Sequence, residues 1–205
     1  MRATVCVDVG ANIGLFTCVT AHAVGPSGRV FAFEPEPRNV ARLRRNVTLN
    51  GFADRVSLIE KAVAEDSDEV TFFRHAATHS GWGALHRDPG HESQKTVASV
   101  GLDAFLASEG IQEVALLKID VEGAELRIME GARGSLEHRR FRFILAEYNG
   151  GWYARLGVPK GEYFRMFESV GYEPVLLNLQ EYEDLRTGLL DAKSERNFLF
   201  RRASP

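Results

Sequence analysis

Short apolar runs rich in β-branched residues alternate with stretches of helical spacing along most of this chain, and few folds accommodate that order. Thr4 to Val9 reads as a buried strand, Ile13 to Val24 as a helix closed by Gly25-Pro26, and Arg29 to Glu34 as a second strand. Pro37 to Asn50 reads as a helix, with proline at its start and Gly51 just past its end. A third strand follows at Val56 to Lys61. From Ser67 to Val100 the chain turns polar and rich in Gly and His, flanked by strand-like Val70 to Arg74 and Thr96 to Val100. The alternation then resumes with a strand at Val114 to Asp120, a helix at Ala124 to Ala132 and a strand at Arg142 to Glu147. A helix at Lys160 to Val170 precedes a closing strand pair, Glu173 to Leu177 with Asn197 to Arg201. Repeated β-α-β units require a mostly parallel sheet with helices on both faces, an α/β architecture. No linker, repeat or composition break interrupts the 205 residues, so a single domain over 1–205 is expected.

Ligands of such sheets bind beyond the carboxyl ends of the strands, where strand order reverses. The first strand runs into Val7-Asp8-Val9-Gly10-Ala11-Asn12-Ile13-Gly14. Gly10 and Gly14 suit a tight turn and close helix packing, and Glu34, twenty positions past Gly14, is placed to accept both hydroxyls of a ribose. A dinucleotide site wants a further glycine where this chain has Ala11-Asn12, and Asp8 would set a carboxylate near the pyrophosphate. S-adenosylmethionine has no phosphate and carries a sulfonium and an ammonium group, which Asp8 would attract. The expectation is therefore the sulfonium cofactor rather than NAD. Asp8, Gly10, Asn12 and Gly14 are expected along its methionine part, Glu34 on the ribose and Lys61-Ala62 near the adenine. The plainer alternative is that Asp8 and the glycines only build a turn.

These residues carry a family resemblance. Val7 to Thr17 (VDVGANIGLFT), Phe33 to Pro37 (FEPEP) and above all Lys118 to Ala132 (KIDVEGAELRIMEGA) resemble the FkbM-type S-adenosylmethionine-dependent methyltransferases, as do Leu102 to Phe105 and Asn197 to Phe200. The resemblance covers nearly the whole chain. It implies a class I methyltransferase (Rossmann-like) fold with a seven-stranded sheet, and methyl transfer most often to a hydroxyl oxygen. One departure is that Met1 lies almost at the first strand, where the family often carries a helical extension over the cofactor. That departure motivates a second reading, a non-catalytic cofactor-binding partner subunit.

Methyl transfer is an in-line displacement that needs donor and nucleophile aligned in a dry site. An aliphatic hydroxyl also needs a base or a metal, whereas an amine needs only to be neutral. The strand ending at Asp120 continues as Val121-Glu122-Gly123 and lacks the polar-Pro-Pro-aromatic pattern of amine-modifying nucleic-acid enzymes. Hydroxyl chemistry is therefore favoured over N-methylation. Asp120 is the expected centre of the reaction, backed by Glu122 and Glu147. Asp120, Glu147 and Asn149 could also bind a divalent cation such as Mg2+, since hard cations take oxygen ligands. Glu125 is read as favouring a helix N-terminus. His75, His79, His86 and His91 share one polar stretch with Trp82, and His79 is the preferred candidate base, against a plain solvated loop. Tyr148, Trp152 and Tyr153, around Asn149-Gly150-Gly151, suggest an aromatic loop at the mouth of the site.

The remaining features mostly exclude. Lys and Arg number 25 against 28 Asp and Glu, a net charge of −3 that favours neither nucleic acid nor an anionic membrane. Arg42, Arg44, Arg45, Arg139, Arg140 and Arg142 read as solvated surface. Cys6 and Cys18 form neither a disulfide framework nor a zinc pattern, which fits a reducing cytoplasm. No apolar run is long enough to cross a bilayer. The expected partners are a small hydroxylated acceptor, plausibly a sugar or secondary metabolite, and a second copy of the chain in a homodimer.

Overall fold

The structure, a computed structural model, describes residues 4–65, 68–75, 83–85, 91–121, 123–159, 161–175 and 195–203. Strand β1 (Val5–Val9) is flanked in parallel by β2 (Arg29–Phe33) on one side and β8 (Val114–Ile119) on the other. Beyond β2 lies β3 (Val56–Ile59), and beyond β8 lies β9 (Phe141–Asn149), both parallel. Strand β11 (Glu195–Arg202) runs antiparallel to β9, and β10 (Tyr172–Pro174) pairs antiparallel with β11 at the edge. The order β10-β11-β9-β8-β1-β2-β3 is the seven-stranded, mostly parallel sheet that the alternation and the resemblance called for. The chain leaves β1 toward β2 and β3, then returns to the other side of β1 to form β8. That reversal opens a crevice above β1 and β8.

Helix α1 (Leu15–Val24) and helix α2 (Pro37–Leu49) cover one face of the sheet. Ala21 packs there with Cys6 and Val30, and Leu43 and Val47 pack with Ala11 and Ala32. The opposite face carries the larger core. Val7, Val9, Phe31, Leu117, Ile119 and Ile144 meet α3 (Leu102–Ser108), α4 (Glu125–Glu130) and α7 (Glu162–Ser169) through Phe105, Leu106, Ile128, Tyr163 and Phe164. Alternation along each strand sends neighbouring residues to opposite faces, so β1 can bury Val7 and Val9 in one layer and Asp8 in the other.

The structure adds to the sequence expectation at several points. The polar region after β3 contains a second, four-stranded sheet in the order β4-β7-β5-β6. Its strands are β4 (Ala62–Val63), β5 (Glu69–His75), β6 (Gly83–Ala84) and β7 (His91–Val100). Strands β5 and β7 fall where strand-like Val70 to Arg74 and Thr96 to Val100 were expected, whereas β4 and β6, two residues each, are too short to show a period. Phe72, Leu85 and Val97 bury their side chains with Ala62, Ala64 and Ala124. The helix expected at Ala124 to Ala132 ends at Glu130, and α5 (Arg133–Glu137) begins afresh. Gly131 sits where a side chain would strike the Ala64 carbonyl. The Asp103 carboxylate of α3 accepts from the Gly134 and Ser135 amides at 2.7 and 2.8 Å, capping α5 from another element.

Because both bonds are charge-assisted and partly buried, Asp103→Ala is expected to lower the unfolding free energy by about 1–3 kcal/mol. Urea denaturation followed by far-UV circular dichroism measures it, and a loss below about 0.5 kcal/mol would remove the cap from the account of this corner.

Candidate functional site

A cavity of about 720 Å³ opens above the carboxyl ends of β1, β2, β8 and β9. Its floor begins with the turn after β1. The Gly10 and Ala11 amides donate to the Phe33 carbonyl at 3.1 and 2.9 Å, which bends the chain across the end of β2. Gly10 has φ +76°, and a side chain there would overlap the Asp120 carbonyl. Gly14, at φ +91°, begins α1, and a side chain there would enter Leu43 of α2. Both glycines are thus demanded by backbone sign and by close approach. Asn12 also takes a positive φ, 50°, a conformation that asparagine tolerates better than most residues.

Glu34, just past β2, fastens this turn. Its carboxylate is buried and accepts from the Asn12 amide (2.9 Å), the Glu36 amide (2.9 Å) and the Asn39 side chain (3.3 Å). Burial raises its carboxyl above the usual range, while these three donors pull the other way. Glu34 still lines the cavity, beside Phe33, Pro35, Lys61, Ala62 and Val63. A carboxylate oxygen holds more than one acceptor position, so a ribose hydroxyl can share it. Phe33, Pro35, Ala62 and Val63 give this part of the wall apolar surface between the two charged side chains. Glu34, Lys61, Ala62, Gly10 and Asn12 therefore come together around one cavity, as expected from the sequence.

Asp8 and Gly14 do not join them. Asp8 is almost wholly buried, beneath the cavity rather than in its lining. Its Oδ2 accepts from the Thr17 hydroxyl at 2.6 Å, and its Oδ1 faces the Lys118 ammonium at 3.4 Å as an ion-pair contact. Asp8 and Lys118 are direct neighbours in the β1–β8 register, so their side chains leave the sheet on the same face. The Asp8 charge is thus consumed inside the protein, and the expected attraction between Asp8 and a sulfonium is corrected. Lys118 also donates to the Gly10 carbonyl at 3.1 Å and pairs with Asp120 Oδ2 at 3.2 Å. No motif in the sequence singles out Lys118 as a site residue. Its signal was there: a lone lysine in the otherwise apolar run Val114 to Ile119.

Asp120 follows β8 directly and lines the cavity, with its side chain 41% exposed. The register Ile119–Ala146 places Glu147 beside it, and Asn197 of β11 pairs with Glu147; both line the cavity. Asn149 does not. Its Oδ1 accepts from the Trp152 amide at 3.1 Å and caps helix α6 (Gly150–Arg155), so Asn149-Gly150-Gly151 starts a helix rather than a loop. Trp152, Tyr153 and Tyr148 are buried, and the aromatic rim expected there is core instead. Glu125 is buried too. It accepts from the amides of Gly123 (3.2 Å) and Val121 (3.4 Å) and from the Tyr153 hydroxyl (2.6 Å), which holds the turn after Asp120. Burial raises both Glu125 and Tyr153 above their ordinary ranges, while the bonds that Glu125 accepts pull its carboxyl the other way.

These engagements bear on the divalent cation. Among the described residues no group of three His, Cys, Asp or Glu is arranged to hold a metal ion. Asn149 spends its oxygen on a helix cap, and the Lys118 ammonium already lies against Asp120. The set Asp120, Glu147 and Asn149 therefore does not fit a cation. Glu122, His79, Trp82 and His86 lie outside the described residues.

Residues 8–174 match the methyltransferase FkbM domain model. The chain belongs to the FkbM methyltransferase family. It is 32% identical over 170 residues to the 31-O-demethyl-FK506 methyltransferase FkbM of Streptomyces tacrolimicus, covering 68% of this chain and 63% of that protein. With the 2-O-methyltransferase NoeI of Sinorhizobium fredii it shares 29% over 161 residues, 71% of this chain and 63% of the relative. The chain thus spans less than two thirds of the length of these relatives. In fold it is similar to the crystal structure of methyltransferase FkbM from Methylobacillus flagellatus, with a TM-score of 0.61 at 16% identity, covering 98% of this chain and 43% of that one.

Lys118→Met is expected to destabilise this family member by about 3–5 kcal/mol, because it leaves Asp8 charged and buried without a cation. The double variant Asp8→Asn/Lys118→Met should recover most of that loss. Denaturant unfolding of the two checks it, and equal stability of the single and double variants would contradict the pairing.

Proposed function

We propose that the chain is an S-adenosylmethionine-dependent O-methyltransferase acting on a hydroxyl of a small molecule. The observation that carries this reading is a single cavity with a ribose-type carboxylate, Glu34, over one half of the sheet and an accessible carboxylate, Asp120, over the other. Family membership supports it, as do the relatives named for O-methylation. Bound there, S-adenosylmethionine supplies an electrophilic methyl group on a sulfonium.

The chain's own residues do the rest. Glu34 accepts from the ribose hydroxyls while keeping the Asn12 amide in place, so the turn and the cofactor are ordered together. Asp120 accepts the proton of the attacking hydroxyl as its oxygen bonds to the methyl carbon and the carbon–sulfur bond breaks. Lys118 holds Asp120 from behind and spares it the freedom to turn away. The apolar walls of Phe33, Val63, Phe72, Leu85 and Val121 help to exclude water. A reducing, cytoplasmic setting belongs to the same reading. Both cysteines are free thiols, and burial pushes Cys6 up to about 11, where it is an inert core residue.

Asp120→Asn is expected to reduce kcat by about 10²–10⁴-fold, the usual range for a general base, while S-adenosylhomocysteine still binds. Glu34→Gln should weaken S-adenosylhomocysteine by about tenfold, ~1.4 kcal/mol, in calorimetric titration. Full turnover by Asp120→Asn would remove the base from Asp120, and no binding of S-adenosylhomocysteine by the unaltered chain would remove the cofactor assignment.

A further inference from the structure

The loop after β2 is held from the small sheet as well as from the turn after β1. Lys95 of β7 donates from its ammonium to the Pro35 carbonyl at 3.4 Å and lies 3.8 Å from Glu36 Oε2 as an ion-pair contact. Its register neighbour across the β5–β7 ladder is Phe72, so the two side chains leave the small sheet on one face. Phe72 is buried and lines the cavity. One face of the small sheet therefore supplies both an apolar part of the cavity wall and a cation for the loop that carries Glu34.

That loop concentrates negative charge. Glu34 and Glu36 are both buried and only two residues apart. Burial raises the Glu34 carboxyl, and the charge on Glu36 adds to the rise. Lys95 sets a positive charge beside Glu36 and offsets part of that repulsion. A second route runs through the backbone. The Pro35 carbonyl and the Glu36 amide belong to one peptide unit, and Lys95 donates to its oxygen while its N–H donates to Glu34 Oε1 at 2.9 Å. Donation to the oxygen polarises the unit and strengthens the bond that its N–H makes. The ammonium thus acts on Glu34 without touching it.

Resting on the methyltransferase reading, we infer that Lys95 is a positioning residue for the cofactor, which holds Glu34 in its ribose-accepting orientation through the Pro35–Glu36 peptide. The small sheet is then coupled to ribose recognition as well as walling the cavity. Moving β7 away would free the peptide, and with it one of the bonds that fix the Glu34 carboxylate.

The test is a double-mutant cycle on the full chain, read by calorimetric titration with S-adenosylhomocysteine. Lys95→Met should weaken binding by about threefold or more, while Lys95→Arg, which keeps the charge, stays within about twofold of the unaltered chain. In the Glu34→Gln background the further change Lys95→Met should cost less than about 1.5-fold, because the group it steadies has lost its charge. A merely structural lysine would cost the same in both backgrounds, so equal losses overturn the inference. Unchanged affinity in Lys95→Met overturns it too, as does a Lys95→Arg variant as weak as Lys95→Met. Thermal melts of each variant separate a loss of fold from a loss of affinity. Failure of S-adenosylhomocysteine to bind the unaltered chain is a different result, which strikes the methyltransferase reading itself.

Discussion

The ion pair between Asp8 and Lys118 sits where the strand order turns back from β3 to β8. It joins β1 to β8, the two strands whose ends frame the crevice, and both partners are buried. Two such charges are tolerated only because Thr17, the Gly10 carbonyl and Asp120 supply the remaining polar contacts. The same contacts bind the turn after β1 and the turn after β8 to one ammonium group. The turn after β1 and the Asp120 carboxylate thus share a fixed point below the cavity floor. Loosening it would misplace both at once, and misplacement by an ångström is enough to slow a reaction severely.

The turn itself rests on a second layer of restraint. Gly10 lies so close to the Asp120 backbone that no side chain fits, and its amide is bonded to Phe33 at the end of β2. Three neighbouring strands, β2, β1 and β8, therefore meet through backbone at a single turn. Glu34 closes the arrangement by taking the Asn12 amide. Charge and close packing are coupled here, since the glycine lets the strands approach and the approach brings Lys118 within reach of three oxygens.

Much of this was legible in the sequence, and the exceptions have physical reasons. Helix α2 was readable to within a residue because Pro37 and Gly51 mark its ends and its exposed arginines alternate with Val40, Leu43 and Val47. Glu34, Lys61 and Ala62 were placed because they follow strand ends, and strand ends in such a sheet share an edge. Asn149-Gly150-Gly151 misled because two glycines suggest a loop. Capping by the Asn149 side chain and burial of Trp152 and Tyr153 outweigh that propensity. Asp8 was judged by its charge alone. Its cross-strand partner, 110 positions away, depends on a register that no local pattern encodes.

A rule for assigning chemistry among the carboxylates follows from these engagements. Asp8, Glu34, Asp103 and Glu125 each accept from amides or hydroxyls of the chain and thereby fix a turn or a helix start. Each is engaged within the chain, although Glu34 also lines the cavity and keeps room for a shared hydroxyl. Asp120 differs. One oxygen is steadied by Lys118 while the side chain as a whole remains open to the cavity. A base needs this combination, because orientation without access is structure and access without orientation is surface. Sequence motifs group all these acids together, and only their hydrogen bonds separate the ones that fasten the chain from the one that stays open to the cavity.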